Sequence, residues 1–125
     1  MSESKFYQQL KKSLTYVYFE RIENRIGQGT ADITAIYNKK EIWIELKFIK
    51  LNKINLSPFQ ILWHLKRFSL GINTFILVKR GSDSLIKAYE GKKALKLAKN
   101  GFKEPCFVVH EPRTDIKKLL KMFEI

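Results

Sequence analysis

The segment "GTADITAIYNKKEIWIELKF", from Gly29 to Phe48, decides the fold of this chain. It contains two runs rich in β-branched and aromatic residues, "ADITAIY" and "EIWIELKFI", joined by "NKK". This pattern is typical of a β-hairpin. Because side chains alternate along a strand, Ile42, Ile44, Leu46 and Phe48 share one wholly apolar face. We expect that face to pack on the core.

The opposite face of the predicted hairpin carries charged residues. A two-residue loop at 38–39 places Asp32 opposite Glu45, whereas a loop at 39–40 places it opposite Lys47. Directly opposed side chains have Cβ atoms about 4.5–5.5 Å apart. A three-residue loop would break this alignment, and the sequence leaves that alternative open.

Two carboxylates this close raise one another's pKa unless a cation lies between them. Mg²⁺ suits such a place, because it takes oxygen ligands, commonly one or two carboxylates with water and phosphate oxygens. The peptide carbonyl of Leu46 could add a ligand, and Lys47 could orient a water or hold a phosphate. The alternative is a solvated hairpin face with ordinary surface charges, since acid-x-Lys is a common string.

The composition indicates one basic globular domain. The chain has 125 residues, which favours a single domain over 1–125, and its net charge is +12. A small domain this basic usually binds a polyanion, most often nucleic acid, although a membrane surface is a competing partner. The single cysteine, Cys106, excludes an intrachain disulfide and a multi-cysteine zinc site. With no apolar run long enough to span a bilayer and no apolar signal segment, we expect a cytoplasmic protein without membrane contact.

Helical spacing is clear in two places outside the hairpin. Within 4–19, four apolar residues share one helical face: Phe6, Leu10, Leu14 and Val17. The aromatic run at 16–19 could instead begin a strand. A second helix is predicted after Ser57, a good N-cap, with Pro58 in its first turn and Gly71 at its end. One stripe of this helix is formed by Phe59, Leu62, Leu65 and Ser69.

The remaining segments predict a buried strand over 73–79, a short strand in "SLIKAYE", a late strand over 106–110 and an amphipathic helix over 114–123. A short helix over 92–99 should face inward with Leu95 and Ala98. This order of elements indicates a mixed α/β or α+β domain.

Several of these strings together resemble a known family. "GTAD", followed after 12 residues by "ELK", resembles the core motif of the PD-(D/E)XK nuclease superfamily. "RIENRIGQGTADI", "WIELK" and "LSPFQILWHLKRFSLG" are similar to its VRR-NUC branch, whose small phage-encoded members resemble Holliday junction resolvases. The similarity covers about residues 19–80. Ala31 stands where many members have proline.

The resemblance implies an α/β fold with a restriction-endonuclease-like αβββαβ core, a central mixed sheet flanked by helices. The catalytic residues it implies are Asp32, Glu45, Lys47 and Gln60. The ligands it implies for Mg²⁺ or Mn²⁺ are Asp32, Glu45, the Leu46 carbonyl and Glu23. Glu20 is the nearby competitor of Glu23, and Gln60 could instead be a solvent-facing polar residue.

The function that the resemblance implies is a metal-dependent DNA endonuclease acting on branched DNA. We expect a homodimer, because paired symmetric cuts need two sites. The candidate DNA contacts are Arg25, Lys50, His64, Arg67, Lys92, Lys93 and Lys96. His64 is alternatively a core histidine, and the lysines a solvated face. The rival functions are a non-catalytic nucleic-acid-binding module and a nuclease acting on linear or single-stranded DNA.

Overall fold

The computed structural model describes residues 1–22 and 29–124 and contains one mixed sheet with helices on both faces. The six strands lie side by side in sequence order: β1 (Tyr18–Arg21), β2 (Ile33–Tyr37), β3 (Lys40–Ile49), β4 (Thr74–Arg80), β5 (Ile86–Glu90) and β6 (Val108–His110). The α-helices are α1 (Glu3–Ser13), α2 (Pro58–Ser69) and α3 (Ala94–Asn100). Shorter 3₁₀ segments are Gly91–Lys93, Gly101–Lys103 and Ile116–Phe123.

The hairpin turns at residues 38–39, as the first of the predicted alternatives requires. Tyr37 pairs with Lys40, and Ile33 pairs with Ile44. The φ angles at 38 and 39 are 53° and 63°. Two successive positive φ values define the tight turn that matches the twist of antiparallel strands. Continued by one position, this register places Asp32 across from Glu45.

Strand β3 is the centre of the sheet. It pairs antiparallel with β2 and parallel with β4, and α2 forms the crossover between the two parallel strands. The predicted αβββαβ order and mixed sheet are confirmed, with β5 and β6 extending the sheet beyond β4.

Each face of the sheet buries its own apolar cluster. On one face, α1 and the last 3₁₀ segment cover a cluster that includes Phe6, Leu10, Ile42, Ile44 and Phe123. Three residues of the predicted apolar face of β3, Ile42, Ile44 and Leu46, belong to this cluster, whereas Phe48 is half-buried outside it. On the other face, α3 and the flank of α2 cover a second cluster that includes Ile76, Val78, Leu97 and Phe102. With both faces covered, β4 is buried along nearly its whole length, as predicted.

Several details complete the sequence predictions or differ from them. Helix α1 ends at Ser13 and strand β1 begins at Tyr18, within the aromatic run, which is the alternative that the sequence left open. The stripe of Phe59 and Leu62 on α2 is exposed, because that helix buries its side with Trp63 and His64 instead. The segment predicted as the terminal helix is a 3₁₀ segment, Ile116–Phe123.

A further difference concerns α3, which buries Ala94 and Leu97 and leaves Leu95 exposed. Both apolar pairs, 94 with 97 and 95 with 98, have the same i, i+3 spacing, so periodicity alone does not choose between them. None of the helices within the described ranges is long and apolar enough to cross a membrane.

Candidate active site

Asp32 is tied by a hydrogen bond to the strand that carries the other acid and the lysine. Its Oδ2 accepts from the backbone N–H of Leu46 at 2.8 Å. Leu46 lies in β3 between Glu45 and Lys47. The bond therefore holds the Asp32 carboxylate against the β3 backbone between those two residues.

Gln60 connects the acid and the amine across the site. Helix α2 begins with a capping box, in which the Ser57 hydroxyl accepts from the Gln60 N–H at 3.1 Å and the Gln60 Oε1 accepts from the Ser57 N–H at 2.9 Å. The same Oε1 accepts from Lys47 Nζ at 3.3 Å, and Gln60 Nε2 donates to Glu45 Oε2 at 3.3 Å. The helix cap thus fixes an amide that orients Glu45 and Lys47 together.

Glu45 is buried, with 1% of its surface exposed, and a neutral histidine lies behind it. His64 Nε2 is 4.0 Å from Glu45 Oε1, and its Nδ1 is 3.0 Å from the hydroxyl of Thr74. Burial lowers the pKa of His64 to about 4; the charge of Asp32 opposes this shift, and the charges of Arg67 and Lys47 add to it. The imidazole is therefore uncharged at neutral pH and does not neutralise the carboxylate.

A third carboxylate reaches the same region from α1. Burial raises the pKa of Glu3, while the charge of Lys47 lowers it and that of Asp32 raises it. Glu3 is therefore within electrostatic reach of Lys47 and Asp32. Glu3 and Lys47 also line an open groove of about 400 Å³, together with Phe48, Ile49, Lys50, Leu51, Asn52, Lys53 and Asn55.

The sequence analysis missed Glu3. An acid in the first turn of a helix is ordinarily explained by the helix dipole, so it attracted no functional interpretation. A signal was nevertheless present, because Glu3 shares the helical face of Phe6 and Leu10, which are both buried. Glu3 itself is exposed, and it lies where the end of that face meets the groove.

Gly29 sets the position of the segment that leads to Asp32. Its φ is +83°, and a Cβ at this position would overlap the backbone carbonyl of Phe59. The segment therefore passes directly against the first turn of α2, which carries Gln60. Only glycine combines this backbone conformation with so close an approach.

The predicted DNA contacts are not gathered in one place. His64 has 0% of its surface exposed, so the prediction of a DNA contact there is wrong and the core alternative is right. Arg67 is half-buried, with its guanidinium 4.3 Å over the ring of Trp63. Lys50 is exposed at the groove described above.

The lysines of the α3 region lie near the far end of α2 from Gln60. Lys92 Nζ is 5.8 Å from the ring of Phe68, in the last turn of α2. Lys93 donates to Glu104 at 3.0 Å, whereas Lys96 is exposed. Glu23 and Arg25 lie outside the described residues, and the competitor Glu20 is exposed on β1.

The donor set suits a hard dication with open coordination positions. Within 1–22 and 29–124, no three side chains of the His, Cys, Asp and Glu types are grouped to enclose a metal ion. Two carboxylates and a peptide oxygen beside them are the kind of partial, all-oxygen set with which Mg²⁺ is held when substrate and water complete its coordination. The residues present therefore fit Mg²⁺ or Mn²⁺ and do not fit a closed zinc site.

Comparison with solved structures shows the fold. A Holliday junction resolvase, Hjc from the archaeal hyperthermophile Archaeoglobus fulgidus, superposes with a TM-score of 0.55 at 16% sequence identity, over 72% of this chain and 74% of that one. A structure described as SSO0001 gives a TM-score of 0.40 at 15% identity, over 78% and 54% of the two chains. No family model and no curated protein matches the chain. The chain has the restriction-endonuclease-like fold of the resolvase.

Proposed function

We propose that this protein is a metal-dependent DNA endonuclease that hydrolyses phosphodiester bonds in branched DNA. The observation that carries the proposal is the Gln60 amide, which binds Glu45 with its nitrogen and Lys47 with its oxygen. Asp32 is held beside them by its bond to Leu46. An acid pair and an amine on one hairpin, fixed from a helix cap, form an arrangement for phosphate chemistry rather than a solvated sheet face.

The residues have distinct roles in this proposal. The Asp32 and Glu45 carboxylates and the Leu46 carbonyl would hold Mg²⁺ or Mn²⁺, and Glu3 would influence the site through its charge from outside the ligand set. When bound, the metal offsets negative charge on the phosphate and lowers the pKa of water. Lys47 hydrogen-bonds the attacking water or holds a phosphate oxygen as a point charge. Gln60 keeps Glu45 and Lys47 in register with each other.

The substrate class rests on the fold and on charge. One structural neighbour is a Holliday junction resolvase, and the net charge of +12 favours a polyanion. The motif strings support placing the chain in the VRR-NUC branch, with relatives encoded by phages. Two cuts in one junction need two sites, so we propose a homodimer acting in the cytoplasm.

The test uses purified protein with Mg²⁺ on labelled four-way junctions, flaps, linear duplexes and single strands. We expect the junction to be cut fastest. Asp32→Asn and Glu45→Gln should abolish cleavage and leave binding intact, and Lys47→Ala should lower the rate by orders of magnitude. Glu111→Gln, at an exposed acid in the turn after β6, is the matched control and should behave as the wild type.

Each rival has its own outcome in the same panel. Tight binding with no cleavage of any substrate would favour the non-catalytic binding module. Cleavage confined to linear or single-stranded DNA would favour the other nuclease. Full activity of the Asp32→Asn variant would refute the site itself.

A further inference from the structure

An exposed apolar surface runs from the open end of the sheet onto the flank of α2. On the sheet it consists of Tyr18 and Ile36, which are direct cross-strand partners. Their neighbours along the strands, Phe19 and Ala35, pack into the core on the other face, so Tyr18 and Ile36 project to the side of the sheet where α2 lies. Tyr18 is 61% exposed, because α2 does not extend over β1 and β2.

Two tryptophans join this part of the sheet to the helix. Trp43 pairs with Thr34, which lies two positions from Ile36 along β2, so Trp43 projects on the same side of the sheet as Ile36. The centre of its ring lies 5.7 Å from that of the Trp63 ring on α2. The exposed large residues of the adjoining helix surface are Phe59, Leu62 and Leu70. Leu62 is 63% exposed. The Trp43–Trp63 contact links the sheet part to the helix part, and we call their exposed residues together the apolar corner: Tyr18, Ile36, Phe59, Leu62 and Leu70.

The charges around the apolar corner differ between its two parts. The sheet part carries exposed Glu20 and Glu41, which share its face because they pair with Thr34 and Ile36. The helix part carries Lys66 and Arg67. A phosphate backbone would be repelled by the two glutamates, so the corner is poorly suited to DNA even though the whole protein is strongly basic.

We infer that the apolar corner is the surface on which a second copy of this chain docks. In a two-fold interface the same patch is used twice, so the sheet part of one copy meets the helix part of the other. The acidic side chains of one copy then face the basic side chains of its partner, in two symmetric places. The apolar residues between them supply the dry centre that homodimer interfaces need. This deepens the homodimer in the proposed function and does not depend on the reaction.

The test is sedimentation equilibrium without DNA or Mg²⁺, over the micromolar concentration range. We expect a wild-type dimer, and a shift to monomer in Leu62→Glu and in Tyr18→Glu. Leu95→Glu is the matched control: it adds the same charge at a leucine that is 57% exposed on α3, outside the corner, and should remain dimeric. Circular dichroism should show all three variants folded, because the side chains replaced are exposed.

A charge exchange tests how the two copies are arranged. Glu41→Lys and Lys66→Glu should each weaken the dimer, and the double variant should recover much of the lost affinity. A wild-type monomer at every concentration, a dimer that survives both Leu62→Glu and Tyr18→Glu, or a double variant no better than either single one would overturn the inference. A monomer whose DNA binding is weakened by Leu62→Glu would identify DNA as the occupant instead. Because no cleavage is measured, failure here is distinct from failure of the nuclease proposal.

Discussion

At the scale of single residues, Gln60 serves both the helix and the site. Its side chain closes the capping box with Ser57 and also bonds Glu45 and Lys47. A capping box requires a glutamate or glutamine at this position for helix stability alone. A glutamate would place a second carboxylate against Glu45, whereas an amide offers a donor to the acid and an acceptor to the amine.

The third carboxylate leads to a prediction about metal affinity. Glu3→Gln keeps the shape of the side chain but removes the charge that interacts with Lys47 and Asp32. We expect the Mg²⁺ concentration for half-maximal cleavage to rise by about tenfold to a hundredfold, the usual effect of losing a supporting carboxylate. The free energy of unfolding should change by less than about 1 kcal/mol, the scale of a helix-dipole interaction. An unchanged Mg²⁺ requirement would remove Glu3 from the site.

The buried histidine leads to a prediction about pH. The pKa of His64 is about 4 when folded, well below its ordinary value near 6.5, chiefly because of burial. As pH falls below 6.5 the unfolded chain takes up a proton that the folded chain resists until about pH 4. The free energy of unfolding is therefore not reduced by this group above pH 6.5. It falls as the pH drops from 6.5 to about 4, by about 3 kcal/mol in total.

Urea unfolding of the wild type and His64→Gln at a series of pH values measures this effect. The groups around the imidazole are Glu45, Asp32, Arg67, Lys47 and Thr74, and they are the same in both proteins. We expect the variant to lose stability less steeply between neutral pH and pH 4. Parallel curves for the two proteins would show that His64 is not held neutral by the fold.

Single residues also show where sequence reasoning reached its limit. Asp32, Glu45 and Lys47 were predictable, because hairpin register is a local property of the chain. Glu3 was not, since its place beside them depends on how α1 packs on the sheet. The burial of His64 was left open for the same reason. The sequence of the helix is the same whether this polar side chain faces solvent or a buried hydroxyl, here that of Thr74.

At the scale of elements, the approach of the hairpin to α2 is fixed by one glycine. Gly29→Ala would place a Cβ against the Phe59 carbonyl and impose a positive φ on alanine. Gly71→Ala is the matched control, because its φ is +85° but nothing lies within 4 Å of the added Cβ. We expect Gly71→Ala to cost about 1–2 kcal/mol of stability and spare cleavage. Gly29→Ala should cost more and also lower the rate, because Asp32 and Gln60 are pushed apart.

The comparison separates strain from displacement. Unfolding free energies and single-turnover rates of the two variants are the measurements. If both variants lose the same stability and keep the wild-type rate, the close approach at Gly29 has no part in aligning the site.

The elements themselves were predictable to different degrees. The hairpin, the α2 cap at Ser57 and the buried β4 have strong local signals, and all three are present. The prediction of the inward face of α3 was wrong because that helix has two possible apolar sides. For α2 the choice is made by the site, which takes the side with Gln60 and His64 and leaves Phe59 and Leu62 exposed.

At the scale of the whole molecule, the excess positive charge predicts how DNA binding responds to salt. The chain has 24 lysines and arginines against 12 acids, and the groove with Lys50 is lined by three lysines, Lys47, Lys50 and Lys53, against one acid, Glu3. Each phosphate neutralised by a basic side chain releases counterions, so log Kd should rise linearly with log salt. For about six to ten contacts the affinity should fall by roughly 10³–10⁵ between about 50 and 200 mM salt.

Fluorescence anisotropy with a labelled junction and the cleavage-deficient Asp32→Asn variant gives this slope without loss of substrate. Lys50→Gln in the same background should reduce the slope by about one, the contribution of one phosphate contact, because Lys50 lies at the groove beside Lys47. Lys39→Gln, at the exposed hairpin turn away from the site, is the control with the same change in charge. A slope that stays equal in both variants would show that net charge alone attracts DNA and that the groove does not guide it to the acids.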